Sequence, residues 1–248
     1  GLDISFAPKI IVGEAGSGMH VHMRFMKDGK NITLENGILS ETARKAIAGL
    51  VVLAPSITAF GNTNPTSYLR LVPHQEAPTN ICWGDRNRSV LIRVPLGWTM
   101  KKDMSATVNP LEKAQSSFTE EKQTFEMRSP DCTADIYLLM AGLCVACRHG
   151  LGMADGLKIA EKTYVDVNIH SAENRERLKA LEQLPDSCYA SAEQLERQRS
   201  IYEEHAVFSP QIIDQTIQML KSYNDKDLRK QIEANPETVK TLVDEYFY

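Results

Sequence analysis

The chain has 248 residues, of which 42% are hydrophobic and 24% charged, and these proportions exclude a disordered protein and predict a globular one with a buried core. The formal net charge of −4 argues against a nucleic-acid partner and against a polybasic membrane-binding surface. We find no apolar run that reaches the roughly 18 uncharged residues of a membrane span, so we expect no membrane partner.

The cysteine count bears on the compartment. Five cysteines, with no leading hydrophobic segment, do not suit a disulfide framework, so a reducing, cytoplasmic location is expected. The chain opens at Gly1 without an initiator methionine, which indicates a piece cut from a longer protein.

The first half mixes predicted strands with helices. Turn residues bound four short segments with strand character, at 9–12, 19–26, 89–94 and 123–127. Ser40 is a candidate N-cap for a helix that should run to about Ala54 and end at Pro55. An apolar run at 136–151 predicts another helix, in which the Cys144 and Cys147 pair is better explained by packing than by redox or zinc chemistry.

From about Ala172 the chain changes to charged helices. Candidate start and stop signals are Ser171 with Leu184-Pro185, Ser191, Ser209-Pro210 ahead of 212–223, and Pro236. Most charges of this tail are expected to form a solvated face rather than a binding surface.

The most informative segment places two imidazoles directly after a glycine-rich turn, in Gly16-Ser17-Gly18-Met19-His20-Val21-His22. Side chains at i and i+2 leave the same face of a strand, so His20 and His22 can look into one site. That arrangement suits a metal or phosphate pocket, although alternating histidines also occur on solvated strands.

A second segment, 62–95, concentrates positive charge. Four arginines lie between Arg70 and Arg93 with few acids among them, so they should repel one another unless a phosphate or carboxylate lies between them. For each arginine alone, a surface position is the competing explanation. Glu76 lies on a Pro- and Ala-flanked loop, where it could act as a base or accept a cation, or could simply be solvated.

A third segment ends a predicted strand with a carboxylate and a guanidinium two residues apart. Glu126 and Arg128 should share one face, which pairs a possible metal ligand with another anion binder. A salt bridge between the two is the alternative.

The order of four motifs resembles the C-terminal catalytic domain of glutamine synthetase. The motifs are GSGMHVH, NPTSYLRLVPHQEAP, RNRSVLIRVP and FEMRSPD, within a similarity that covers 9–152 and continues weakly into the tail. The resemblance implies an α+β fold, in which an antiparallel sheet carries the active site, helices back it and a helical C-terminal tail follows. It implies that 1–152 is the C-terminal half of the catalytic domain and that 153–248 is the helical C-terminal region of the same domain.

The resemblance also implies a reaction. In that family ATP phosphorylates the γ-carboxylate of glutamate, and ammonia then displaces phosphate from γ-glutamyl phosphate to give glutamine. The implied metal ligands for Mg²⁺ or Mn²⁺ are His20 and Glu126. The implied ATP contacts are His22, Arg88 and Arg93. The implied glutamate contacts are Gly16, Arg70 and Arg128. The implied catalytic residues are Arg88 and Glu76, the latter closing the site and taking the proton of ammonium.

Parts of that site are not expected in these 248 residues. The family's second cation is held by glutamates on strands before the glycine turn, and a neighbouring subunit's N-terminal domain completes the pocket in a ring-shaped homo-oligomer. We therefore expect the isolated chain to be inactive or nearly so.

Several positions depart from the family pattern. Ala15 replaces the usual asparagine before the first glycine, Arg24 replaces a small polar residue, and Ala134-Asp135-Ile136 stands where Asn-Pro is common after the RSPD motif. The interval 94–125 is long and suggests an inserted loop. These departures keep two alternatives open: a γ-glutamylamine ligase that uses an organic amine, and a non-catalytic binding or regulatory relative.

Overall fold

The computed structural model describes residue 2 and residues 4–72, 77–95, 108–111, 122–166, 181–235 and 237–246. The helices of the described residues are α1 (Glu41–Gly61), α2 (Pro65–Arg70), α3 (Ile136–Gly152), α4 (Gly156–Thr163), α5 (Cys188–Glu203), α6 (Pro210–Ser222), α7 (Leu228–Ala234) and α8 (Glu237–Glu245). The strands are β1 (Val21–Met23), β2 (Met26–Lys27), β3 (Lys30–Asn31), β4 (Leu34–Glu35), β5 (Ile38–Leu39), β6 (Trp83–Asp85), β7 (Ile92–Val94) and β8 (Phe125–Met127).

One sheet of four strands has the order β1-β8-β7-β6. Strand β8 pairs antiparallel with β1 and with β7, whereas the edge strand β6 runs parallel to β7. The predicted α+β class is confirmed, and the antiparallel arrangement holds for three strands but not for β6. Three of the four predicted strands exist in shortened form, because only three residues of each, 21–23, 92–94 and 125–127, pair in the four-stranded sheet.

The segment 9–12 was predicted to be a strand, and this prediction is wrong. The chain turns there, with Gly13 at a φ of +95° and the amide of Glu14 donating to the carbonyl of Ile11 at 3.3 Å. The apolar side chains that suggested a strand are exposed. A glycine in the left-handed region favours a turn over an extended ladder.

Helix α1 begins where the sequence predicts and ends later than predicted. The Ser40 hydroxyl accepts a hydrogen bond from the amide of Ala43 at 3.2 Å, as an N-cap should. The helix then continues through Pro55 to Gly61, so the predicted end is wrong. Burial of the residues that follow Pro55 outweighs the lost helical hydrogen bond, and Gln198 of α5 donates to the nearby carbonyl of Val52 at 2.9 Å.

The longer α1 also corrects the expectation about apolar length. Among the described residues, α1 is long and apolar enough to cross a membrane, contrary to our reading of the sequence. Most of the helix is buried inside the protein, where it packs against α3, α4 and α5. This burial is that of a core helix.

Helix α3 follows the prediction and explains one departure from the family pattern. The Asp135 carboxylate accepts a hydrogen bond from the amide of Leu138 at 3.0 Å and caps the helix. Aspartate and asparagine cap helices about equally well, so this replacement keeps the local structure. Cys147 packs against the core, whereas Cys144 is exposed.

In the tail, Ser209 caps α6 as predicted, and α8 begins at Glu237, directly after the predicted start at Pro236, which lies outside the described residues. The predicted cap at Ser191 is wrong. Helix α5 starts four residues earlier, after the cap Ser187, whose hydroxyl accepts from the amide of Ala190 at 3.1 Å. Most of the run predicted after Ser171 lies outside the described residues, and 181–187 are not helical.

One apolar cluster joins these elements. It contains side chains of α1, α3 and the sheet together with residues of the tail helices α5 and α6. This packing holds β1, β8 and β7 as a fixed platform. The division after Gly152 remains a prediction.

Candidate active site

The register of the sheet brings three predicted site residues to one level. His22 of β1 lies opposite Glu126 of β8, and Arg93 of β7 lies opposite the same Glu126. Residues that face each other across antiparallel strands have side chains on the same face of the sheet. His20 is two residues before His22, and Arg128 is two residues after Glu126, so both fall on that face as well.

Glu126 is the centre of the site and is completely buried. One carboxylate oxygen, Oε2, lies 2.6 Å from Nε2 of His22. The other, Oε1, lies 2.7 Å from Nε of Arg93, 3.5 Å from Nε of Arg128 and 3.8 Å from Nδ1 of His20. The predicted convergence of His20 and Glu126, which are far apart along the chain, is therefore present.

These close approaches are not aligned as hydrogen bonds. Neither oxygen of Glu126 has a hydrogen-bond partner of acceptable geometry, and the same holds for Nε of Arg93 and Nε of Arg128. A buried carboxylate without directed hydrogen bonds is costly. The free lone pairs make Glu126 a suitable ligand for a cation.

The environment of His20 favours the neutral form of its imidazole. Burial and the Arg128 guanidinium lower the pKa of His20, more than Glu126 raises it. The neutral ring has the lone pair that a metal ligand needs. His22 is fixed by a second contact, since its Nδ1 lies 3.0 Å from the hydroxyl of Thr124.

Backbone carbonyls hold two of the arginines. Nη1 of Arg128 donates to the carbonyls of Arg88 and Val90, the latter at 3.1 Å. Arg70, at the end of α2, donates from Nη1 to the carbonyl of Ser129 at 2.8 Å and from Nη2 to that of Arg128 at 3.2 Å. Both guanidiniums are nearly fully buried, so their positions are fixed before any ligand binds.

The glycine turn is packed against Arg70. A Cβ at Gly16 would lie 2.4 Å from the carbonyl oxygen of Pro8 and 3.3 Å from Cγ of Arg70. A Cβ at Gly18 would lie 2.2 Å from Nη2 of Arg70. The turn therefore requires glycine at 16 because the Pro8 carbonyl lies in the space that a side chain would need, and at 18 because Arg70 does.

The remaining predicted residues lie at the margin or outside the described part. Arg88 is exposed in the turn before β7, and its charge is close enough to lower the pKa of Arg128, although burial is the larger cause. Glu76 lies outside the described residues. Among the described residues, no three His, Cys, Asp or Glu side chains are placed to hold a metal ion by themselves.

Sequence reasoning missed the residues that support Arg70. Asp131 is buried, lies 3.9 Å from Nη1 of Arg70 and accepts a hydrogen bond from Nδ2 of Asn62 at 2.8 Å. The same Asn62 nitrogen donates to the carbonyl of Ser129, which also accepts from Arg70. Burial raises the pKa of Asp131. Asp131 is the last residue of the FEMRSPD motif, and its place three residues after Arg128 could have marked it as a site residue.

Comparison with known proteins decides the family. A family model described as glutamine synthetase, catalytic domain, matches residues 1–237. The chain belongs to the glutamine synthetase family. It is 34% identical over 200 residues to the glutamine synthetase of Thermococcus kodakarensis, 37% over 205 residues to that of Pyrococcus furiosus and 33% over 231 residues to that of Pseudomonas aeruginosa.

These matches cover 80%, 82% and 92% of this chain but 40%, 41% and 44% of the relatives. The chain thus spans about two fifths of the length of these glutamine synthetases. Solved structures share the fold. The Plasmodium falciparum glutamine synthetase aligns with a TM-score of 0.62 at 21% identity, over 98% of this chain and 49% of that one. Ligand-free GmaS aligns with a TM-score of 0.63 at 22% identity, over 91% of this chain and 45% of that one.

Proposed function

We propose that the chain supplies part of the catalytic domain of an ATP-dependent glutamate–ammonia ligase, which forms glutamine through γ-glutamyl phosphate. The observation that carries the proposal is the buried Glu126, whose oxygens face two imidazoles and two guanidiniums on one sheet. Phosphoryl transfer requires this combination of a cation ligand with fixed cationic anion binders.

A divalent cation, Mg²⁺ or Mn²⁺, fits the donor set as an incomplete site. His20 and Glu126 would hold it, since both Glu126 oxygens lack directed hydrogen bonds and the lowered pKa of His20 keeps the imidazole neutral. When bound, such a cation neutralises negative charge on the phosphates. Further ligands would come from the longer protein or from water.

The arginines divide between the two anionic substrates. We assign Arg88, Arg93 and His22 to ATP, since they lie along the β1–β8–β7 side of the site. Arg70, Arg128 and Gly16 are assigned to the carboxylates of glutamate, since Arg70 packs on the glycine turn. Holding both anions on side chains fixed by the sheet and by the end of α2 brings the γ-carboxylate and the transferring phosphoryl group together with less loss of entropy in the reaction. Glu76 keeps its predicted role of closing the site and taking the ammonium proton.

The setting of the enzyme is part of the proposal. A cytoplasmic location agrees with five cysteines that are all free in the structure. A ring-shaped homo-oligomer of the full-length protein would complete the pocket from a neighbouring subunit. The substrates would be glutamate, ATP and ammonia.

The metal assignment can be tested on these 248 residues alone. Titration with Mn²⁺ in a calorimeter should give binding that weakens about tenfold or more in Glu126→Gln and His20→Gln, because each removes one donor. Glu41→Gln is the matched control, as Glu41 is exposed at the start of α1, where it pairs with its helical neighbour Lys45. Equal Mn²⁺ affinity in all four proteins would defeat the assignment.

The reaction must be tested on the full-length protein. Glutamate-dependent ADP release should fall about 100-fold or more in Arg88→Ala, whereas Arg44→Ala, an exposed arginine of α1, should keep the rate. The same assay with ammonia and with a panel of organic amines separates the two ligase classes. Turnover only with an organic amine would show a γ-glutamylamine ligase instead of a glutamate–ammonia ligase. Absence of turnover with ammonia and with every organic amine would favour a binding or regulatory role.

A further inference from the structure

One charged residue of the tail reaches the end of α2. Arg229 lies on α7, and its Nη2 donates to the carbonyl of Leu71 at 2.9 Å and to that of Tyr68 at 3.4 Å. These carbonyls belong to the last turn of α2 and its C-cap, where carbonyl groups have no partner within the helix. A guanidinium there also complements the negative end of the helix.

Arg70 lies between those two carbonyls, directly before Leu71. Its guanidinium bonds to the carbonyls of Ser129 and Arg128, and it fills the space beside Gly16 and Gly18. A shift of the end of α2 therefore moves Arg70 against both the glycine turn and the end of β8. The segment 73–76, which ends at Glu76, continues directly from this point of the chain.

The tail holds Arg229 in place. Leu228 beside it and Val243 of α8 are buried, and α8 contacts α2. The rings of Tyr223 and Tyr246 lie 6.0 Å apart and join the end of α6 to the end of α8. The helix that carries Arg229 is thus held by its packed neighbours, and Arg229 itself is half-buried, unlike the solvated charges that the sequence predicts for this tail.

We propose that Arg229 is a positioning residue, which fixes the end of α2 and thereby sets the orientation of Arg70 toward glutamate. This inference rests on the proposed function, because it assigns a consequence to the glutamate role of Arg70. Arg229 itself touches no substrate. Its removal should weaken glutamate binding and leave ATP binding largely intact, because the ATP contacts lie on β1, on β7 and in the turn before β7.

The test measures steady-state kinetics of the full-length protein with Arg229→Ala and Arg229→Lys. In Arg229→Ala the KM for glutamate should rise about tenfold while the KM for ATP changes less than about twofold. Arg229→Lys keeps a cation that can reach one carbonyl, so it should recover a large part of the loss. Arg229→Gln takes the place of the alanine variant if the latter does not fold.

Two further variants separate positioning from stability. Lys230→Ala removes an exposed neighbour that pairs with Asp227, and it should leave both KM values unchanged. Val145→Ala removes a buried side chain from α3, outside the tail elements that hold Arg229, so a rise in the glutamate KM of Val145→Ala equal to that of Arg229→Ala would overturn the proposal. Unchanged glutamate KM in Arg229→Ala would overturn it too.

Hydrogen exchange provides a readout that does not depend on the reaction. The amides of Leu71 and Val72 donate to the carbonyls of Ser67 and Arg70, and both should exchange faster in Arg229→Ala but not in Lys230→Ala. Unchanged exchange would refute the structural half of the inference. If the wild-type protein shows no glutamate-dependent turnover, the proposed function fails, while the exchange result still decides whether Arg229 fixes α2.

Discussion

At the scale of single residues, the glycine turn gives a sharp steric prediction. Gly18→Ala places a Cβ 2.2 Å from Nη2 of Arg70, and this guanidinium cannot withdraw easily because it is buried and bonded to the carbonyls of Arg128, Ser129 and Pro130. We expect a loss of about 1–3 kcal/mol in the free energy of unfolding. Urea denaturation measures it.

Gly152→Ala is the matched control for that substitution. A Cβ at Gly152 would meet nothing within 4 Å, and this glycine ends α3 without a positive φ. Its unfolding free energy should stay the same or rise by up to about 1 kcal/mol, since alanine favours the helix. Equal losses in the two variants would show that the space beside Arg70 does not decide the result.

A second residue-scale prediction concerns the pH dependence of His20. Burial and the Arg128 guanidinium place the pKa of His20 in the folded protein below its ordinary 6.5. The unfolded state then binds the proton more readily, so unfolding becomes easier as the pH falls from about 6.5 toward the folded pKa. Between those two values the folded ring stays neutral and can still bind a metal.

NMR titration of the His20 ring measures this directly. We expect a midpoint below 6.5 in the wild-type chain. In Arg128→Met the midpoint should rise without reaching 6.5, because burial is the larger of the two causes and remains. A wild-type midpoint at or above 6.5 would contradict the environment described for this imidazole.

At the scale of elements, local signals predicted what local physics decides. The Ser40 and Ser209 caps and the strand character around His22 depend on neighbouring residues, and they were predicted correctly. The continuation of α1 past Pro55 could not be predicted in this way, because it depends on burial against distant helices. The parallel pairing of β6 with β7 could not be predicted either, because strands joined only by the short segment 86–91 usually pair antiparallel.

In the site, too, features set by neighbouring residues were predicted and features set by tertiary packing were not. The spacing of His20 and His22 predicted a shared face, and the register with Glu126 realises it. The support of Arg70 by Asp131 and Asn62 escaped prediction, because those residues meet only through tertiary packing.

The start of α5 provides a prediction for one element. Ser187→Ala should lower the free energy of unfolding by about 1 kcal/mol through loss of the cap, and Ser187→Asn should recover it. Ser191 has a different role. Its buried hydroxyl lies 2.6 Å from the hydroxyl of Tyr68 and 2.5 Å from that of Thr58.

Asparagine at 191 should therefore destabilise the protein more than alanine at 187, because a larger amide must fit among those buried hydroxyls. Urea unfolding of Ser187→Ala, Ser187→Asn and Ser191→Asn measures the free energy of unfolding of each variant. If Ser191→Asn kept the free energy of unfolding and Ser187→Asn did not, the helix cap would be Ser191, as the sequence alone predicted.

At the scale of the whole molecule, the question is whether the predicted halves, 1–152 and 153–248, unfold together. The main apolar cluster contains side chains of α1, α3 and the sheet and also of the tail helices α5 and α6. A core shared in this way favours a single cooperative transition. Cysteines lie in both halves, and all are free, so thiol labelling can report on each half.

Cys82 beside the sheet and Cys188 at the start of α5 are both buried, and burial raises the pKa of Cys188. Because the thiolate is the reactive form, neither should react with iodoacetamide in the folded chain, whereas the exposed Cys144 should. With increasing urea, Cys82 and Cys188 should become reactive at one common midpoint, located by mass spectrometry of the labelled peptides. Labelling of Cys188 at a lower urea concentration than Cys82 would mean that the tail unfolds as a separate unit, and the single-domain assignment of the two halves would then be wrong.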